Sequence, residues 1–397
     1  MILYLVSCLL GIISGIITGI TPGIHPNTVI FTSMPVYLSS SISQGIYISY
    51  MTGLSVSHTF HDFLPAIFIS TPDAEAALSS IAAPEMVENG KGLEAFYASV
   101  RGGMQALLVI LLLLLPLYFF LKPVYQALSS QMHFILVFFL FYVISISDDT
   151  IKSILISVFS GSLGLLAFQS NVNQQFVLLP VFSGLFAVPS IISMLGEEFE
   201  MPEQQDLEPS LMDFQRSSVA GTLAGLLAGT VPGIGPAIST SFLTPIMDKS
   251  RKSFIAAMGA VNTSDIIFSL ISLALLGRAR SGVSVALQAI GKPTNSRIIM
   301  FLALSAFSVI FSGFVAIKVS KKYQEYIRKV ELEKVLYLVA GTISVSTVVL
   351  TGFGGLLILL ISSSVGMVSM KWDLRKECMM VLIIPSILSF AGISIFM

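Results

Sequence analysis

The sequence predicts an all-α polytopic membrane protein, and three observations carry that expectation. Apolar residues make up 54% of the 397 and charged ones only 11%, against about 25% charged in an ordinary soluble domain. Mean hydropathy is +0.89. No Asp, Glu, Lys or Arg occurs before Asp62, and a stretch that long without charge makes no water-facing surface. With 21 basic and 22 acidic residues, the chain is neither a nucleic-acid binder nor a disordered polyelectrolyte. The expected location is the cell membrane, multi-pass and in contact with lipid.

Charge-free apolar runs mark the elements. Those at 3–20, 102–121, 174–196, 298–317 and 378–397 each suit a hydrocarbon core of about 30 Å. Weaker or interrupted runs lie at 29–50, 54–70, 132–147, 151–168, 217–231, 237–247 and 254–276. Residues 335–370 lack any charge and carry Gly352, Gly354 and Gly355 near the middle, which predicts a helical hairpin with both ends on one side. About ten to twelve embedded segments follow, several too short to cross alone. The N-terminus has no Lys/Arg start or small-residue cleavage pattern and reads as a retained helix. Cys8 and Cys378 sit in apolar stretches and read as buried hydrophobes.

Charge is uneven along the chain. Residues 1–216 carry 5 basic and 15 acidic groups, and 217–397 carry 16 and 7. Loop 318–334 holds Lys318, Lys321, Lys322, Arg328, Lys329 and Lys334, so the positive-inside tendency places it in the cytoplasm. The hairpin then puts Lys371, Arg375 and Lys376 there too. Residues 196–213 contain seven acids and no base and read as a solvated connector. A second basic stretch, Arg278, Arg280, Lys292 and Arg297, lies one span from loop 318–334. Both cannot be cytoplasmic if 298–317 crosses, and the sequence leaves the choice open.

An internal repeat organises the chain. Residues 11–26 read GIISGIITGITPGIHP and 221–236 read GTLAGLLAGTVPGIGP, aligned 210 apart throughout. Pro35 and Pro245 extend the match. The expected organisation is a transmembrane unit at 1–200, an acidic connector at 201–213 and a second unit at 214–397. Loop 62–101 has 2 basic and 6 acidic residues and core 278–297 has 4 basic and none acidic, which favours inverted topology. Each unit opens with glycine at every fourth position, a stripe that lets another helix approach backbone to backbone.

The P-G-I-x-P that follows stops the helix and frees backbone groups, which hydrocarbon tolerates only where they are buried in protein or line a wet cavity. The resumed helix would present free N–H groups and its positive dipole end to an anion. Candidate substrate-binding residues are therefore Pro22, Gly23, Ile24, His25, Asn27 and Thr28 in the first unit. Pro232, Gly233, Gly235, Ser239 and Thr240 are their counterparts in the second.

The duplicated G-x-x-x-G-x-x-P-G-I-x-P resembles the large permease of the tripartite tricarboxylate transporters, the TctA family. Thr71-Pro72-Asp73-Ala74-Glu75-Ala76-Ala77 and Glu88-Asn89-Gly90-Lys91-Gly92-Leu93-Glu94-Ala95 resemble its small-residue and Gly-Lys-Gly segments. Arg278-Ala279-Arg280-Ser281-Gly282 is similar in the second unit. With its short chain and His25-Pro26-Asn27, the sequence resembles the family's shorter, mainly archaeal branch. The resemblance implies a carboxylate permease driven by an ion gradient. It also implies a small membrane subunit and an extracytoplasmic binding protein; a homo-oligomer is a further possible partner.

Polar residues inside apolar segments complete the candidates. His58, His61 and Asp62 share or adjoin one helical face, and Asn262 and Asp265 occupy the comparable stretch of the second unit in a register slipped by seven. They suit coupling to Na⁺ or H⁺. Zinc chemistry needs more ligands than His58, His61 and Asp62 supply, so no metal, cofactor or catalytic residue is assigned. The leading expectation is secondary transport of a small organic anion, a carboxylate by resemblance. Translocation of an anionic lipid carrier such as a polyprenyl phosphate, and an intramembrane hydrolase using His25 or His58/His61/Asp62, are the alternatives.

Overall fold

The computed structural model describes residues 2–21, 26–69, 79–145, 147, 149–174, 176–195, 202–206, 214–231, 235–236, 239–240, 250–290, 295–329, 331–374 and 378–379. These residues form helices and no strand. The helices of the first half are α1 (Ile2–Ile20), α2 (Pro26–Leu38), α3 (Gln44–His61), α4 (Phe63–Phe68), α5 (Ser79–Glu88) and α6 (Gly92–Ser129). α7 (Met132–Ser145), α8 (Thr150–Gln169) and α9 (Leu178–Met194) follow, the last with a π turn at Ser183–Ala187. The second half holds α10 (Gln215–Thr230), α11 (Arg251–Leu276), α12 (Gly282–Ile290), α13 (Asn295–Ile327) and α14 (Leu332–Lys371). Six of them, α1, α6, α8, α11, α13 and α14, are long and apolar enough to cross a membrane.

The glycine stripes do what their spacing predicts. A Cβ on Gly11 would strike Tyr50 O, one on Gly15 would strike Leu54 O and Ser57 Cβ, and one on Gly19 would strike His61 Cβ and Asp62 N. In the second unit Gly221 faces Ala257 O, Gly225 faces Ser264 Oγ and Asp265 N, and Gly229 faces Asp265 O, Phe268 Cβ and Ser269 N. Contact numbers rise together, so α1 runs parallel to α3 and α10 parallel to α11. A returning segment must lie between two parallel neighbours. α2 supplies it: Tyr47 donates to Ile30 O at 2.9 Å and stacks on Tyr37 at 4.3 Å.

This return corrects the expected span at 29–50. α2 ends at Leu38 and α3 begins at Gln44. Four serines lie in residues 39–43, and Ser39 and Ser40 turn their hydroxyls onto Val36 O and Tyr37 O, competing with the helical ladder.

The long helix that follows each glycine-stripe pair, α6 and α13, packs on the other half. α6 lies along α11, where Gly102 meets Ala256 O and Gly259 meets Ser99 O. Ser218 of α10 donates to Gln105 of α6 at 2.6 Å, and Cys8 of α1 meets Ser308 of α13 at 3.2 Å. The main core accordingly mixes Val56–Ile110 with Ile255–Ile327. A second core joins α7, α8 and α9 to α14. α3 packs against α11, its start sharing a cluster with Leu270 and Leu273 and its end a larger one that holds Ile255, Met258, Ile267 and Ile271.

α14 breaks at Gly352, whose φ of 70° and ψ of −169° leave the helical region. A Cβ on Gly355 would touch Thr347, and Leu336, Val339 and Ile343 share a cluster with Leu359. A straight helix would set Leu336 and Leu359 about 35 Å apart, so the arms fold back as the three glycines predict.

The acidic connector is not simply solvated. Gln204 is buried, accepting from Gly92 N at 2.6 Å and donating to Val87 O at 3.0 Å. Asp206 accepts from Tyr97 at 2.8 Å and from Lys321 at 2.6 Å. Glu85–Arg251 and Glu94–Lys252 pairs join the two halves at the same end. One amide side chain with three backbone partners, Pro202 O at 2.8 Å the third, outweighs the segment's charge.

Two outcomes follow. Gly102→Ala should lower the melting temperature, with overpacking costing about 1–3 kcal/mol, whereas Gly341→Ala, which meets nothing within 4 Å, should not. Lys321 first, and Tyr97 with it, hold the Asp206 carboxyl below its usual 3.8. Its contribution is then complete above that value and fades as pH falls through the lowered one. Melting curves across pH should show less acid sensitivity in Asp206→Asn than in the parent protein.

Candidate functional site

Two helices that lipid should surround with apolar side chains instead bury a polar band. In α3, Ser55, Ser57, His58, Thr59 and His61 are at most 2% exposed, and Asp62, which caps it, is 3% exposed. In α11, Asn262, Thr263, Ser264, Ser269 and Ser272 are equally enclosed, with Asp265 half-buried. The glycine stripes create the enclosure, because α1 and α10 lie directly over these residues.

The stripe contacts also fix the register. Gly15 meets Leu54, Ser57 and His58, and Gly225 meets Val261, Ser264 and Asp265, an offset of 207. Gly19 against His61 and Asp62, and Gly229 against Phe268 and Ser269, give the same offset. Asp265 is thus the positional counterpart of His58, Asn262 that of Ser55 and Ser269 that of Asp62. This corrects the expected pairing of Asp62 with Asp265. The chain between α1 and α3 is three residues longer than that between α10 and α11, which a match on acidic residues alone cannot see.

Hydrogen bonding in the band is incomplete. His61 Nδ1 lies 2.7 Å from Ser57 O; a carbonyl only accepts, so Nδ1 carries a proton and the neutral ring presents Nε2 as an acceptor. That Nε2 is buried without a hydrogen-bond partner, as are Oδ1 and Nδ2 of Asn262 and the hydroxyls of Ser55, Ser57, Ser269 and Ser272. His58 Nδ1 is 3.0 Å from Thr18 Oγ1. An unsatisfied buried polar group costs about 1–3 kcal/mol, and such a cluster on two facing helices suits a polar occupant better than a dry core. The four serines escaped the sequence reading, because Ser in an apolar run is commonly a back-bonding residue.

The interrupted segments adjoin this band. α1 stops at Ile20, one residue past the glycine that abuts His61 and Asp62, and α2 starts with Pro26 at its first turn. α10 stops at Thr230, with Val231 extended (ψ 123°), one residue past the glycine that abuts Asp265 and Ser269. Pro22, Gly23, Ile24, His25, Pro232 and Gly233 lie outside the described residues, and Asn27 and Thr28 are described in backbone only. Gly235 O accepts from Ser239 N at 3.1 Å. Ser239 and Thr240 are buried and donate to Pro236 O at 3.0 and 2.7 Å. Among the described residues no group of three His, Cys, Asp or Glu could hold a metal ion.

Known proteins place this architecture. The chain is similar to the uncharacterized protein MJ1079 of Methanocaldococcus jannaschii, 29% identical over 406 aligned positions that cover 98% of this chain and 99% of that one. No solved structure matches it. The model of the tripartite tricarboxylate transporter TctA family matches residues 5–381, a span that takes in both glycine-stripe helix pairs and the polar band between them. On a match of that length the chain, a multi-pass membrane protein, belongs to the tripartite tricarboxylate transporter TctA family.

Proposed function

We propose that the protein is a secondary transporter of a small organic anion, a carboxylate, bound between the two Pro-Gly segments and moved by alternating access. One observation carries the reading: each glycine-stripe helix ends against a buried polar band containing groups without partners. A transporter needs polar atoms at membrane depth that are left open for cargo. In this reading the two units are inverted, with the site between them, and the packing of α3 against α11 brings the two bands into one body. Helix N-termini after Pro22-Gly23 and Pro232-Gly233 would receive the anion. His61, Asn262 and Asp265 would accept the driving Na⁺ or H⁺, Asp265 as the carboxylate and Asn262 as a neutral oxygen ligand. The family's tripartite character implies further subunits; a small membrane subunit and an extracytoplasmic binding protein would deliver the anion.

The test is uptake of labelled citrate and succinate into proteoliposomes under imposed Na⁺ and H⁺ gradients. Gly23→Ala and Gly233→Ala should each reduce uptake roughly tenfold or more, a loss of about 1.4 kcal/mol or more at the binding step, while melting curves stay near those of the parent. Uptake at the parental rate by both variants would refute the site. Asn262→Leu, which fills the polar gap with a side chain of similar size, should raise thermal stability and remove gradient-driven uptake. An Asn262→Leu protein that still concentrates substrate would take Asn262 out of the coupling site.

A further inference from the structure

We propose that Arg278 and Arg280 form an oxyanion-binding site, for a carboxylate or phosphate group, at the end of α11 remote from the connector. The pair follows Gly277, which ends α11 in the left-handed conformation at φ 70°. Both guanidiniums are anchored to one aromatic side chain of α6. Arg278 lies over the Tyr125 ring at 5.7 Å and Arg280 Nη2 donates to Tyr125 Oη at 3.3 Å. Ser284 Oγ fixes the loop between them, accepting from the backbone N–H of Arg280 at 2.7 Å and of Ser281 at 2.8 Å.

What the arginines lack points to a ligand. Neither has a carboxylate partner among the described residues, whereas Arg251 and Lys252 at the other end of α11 pair with Glu85 and Glu94. Arg280 Nε is buried with no acceptor. Burial first, and the charge of Arg278 as well, pull Arg280 below its usual value, with Tyr125 opposing. Two like charges two residues apart, with no carboxylate beside them among the described residues, repel each other until an anion lies between them. They line an open polar pocket of 440 Å³ with Gln288. A planar fork with unused donors fits an oxyanion bidentately.

Position supports a functional role over a topogenic one. α11 runs about 39 Å over its 26 residues. Its other end holds Lys252, beside Glu94 and near the connector that binds Lys321. With the Lys321 end in the cytoplasm, the arginine pair faces outward, where the positive-inside tendency calls for no basic residues. Tyr125 also packs in one cluster with Val231, the residue before Pro232. The site would therefore be the first stop of the transported anion, a role that rests on the transporter reading, whereas oxyanion binding does not.

Calorimetric titration of citrate and inorganic phosphate into the full-length protein in phosphatidylcholine nanodiscs tests the site. Arg278→Gln with Arg280→Gln should weaken both by about tenfold or more, and Arg280→Lys, which keeps charge but loses the fork, should weaken them by less. Lys318→Gln, at the other end of α13, should bind as the parent does. Parental affinity in the double variant, with an unchanged melting curve, overturns the proposal. Phosphatidylglycerol nanodiscs supply the second arm. If they stabilise the parent but not the double variant while free anions bind neither, the site stands with a lipid headgroup as occupant and the loading role is lost. Binding lost in the double variant, beside a parent that takes up no carboxylate, upholds the site and removes the transporter reading instead.

Discussion

Backbone-to-backbone contact between parallel helices is the constraint on which the rest of the molecule depends. Gly11, Gly15 and Gly19 leave no room for a methyl group against α3, and Gly221, Gly225 and Gly229 leave none against α11. Parallel neighbours this close require a return between them, which α2 makes between α1 and α3. That turn in turn requires α2 to be short and its ends to be sheltered. The polar band owes its burial to the same contact, since α1 and α10 seal one side of it. A larger residue in either stripe would open the band to lipid, where each unpaired group is far more costly.

Much of this was legible in the amino-acid order, and the exceptions have physical reasons. The stripes repeat at a rigid 210 because each glycine is set by what cannot fit there. The neighbouring helices carry no such constraint: His58 stands where the second half has Asp265, and Ser55 where it has Asn262. The contacts of Gly15 and Gly225, and of Gly19 and Gly229, disclose the offset of 207. The fold of α14 at Gly352 was readable because glycine alone accepts that backbone without strain. The split of the 29–50 run was hidden by apolar residues on both sides of four serines. The docking of residues 202–206 was hidden by the acids around Gln204, since a hydropathy reading cannot see one buried amide with three hydrogen bonds.

Function follows from how these parts are shared. Neither unit owns a complete side wall: α6 seals the α10–α11 pair and α13 seals the α1–α3 pair. The band on α3 and the band on α11 therefore sit within one packed body rather than in two separable ones, while α7, α8, α9 and α14 gather around a core of their own. A cargo held between the bands would touch elements from both halves at once. The ion pairs Glu85–Arg251, Glu94–Lys252 and Asp206–Lys321 tie the same halves at one end, and Tyr125 with the arginine pair ties α6 to the far end of α11.

This exchange of α6 and α13 between the halves has a consequence for how the chain is made. Cys8 and Ile12 of α1 share their cluster with Leu304 of α13, nearly three hundred residues later. At about 5–20 residues per second the ribosome takes on the order of 15–60 s to supply that partner. Throughout that interval the glycine face of α1 can pair with α3, but the flank that α13 will cover stays open to lipid. Ser305, Ser308 and Ser312, all buried in the finished protein, must then slide past hydrocarbon to reach their places. Insertion of α1 is thus complete well before its packing is, and the half-made protein is the species on which membrane quality control would act.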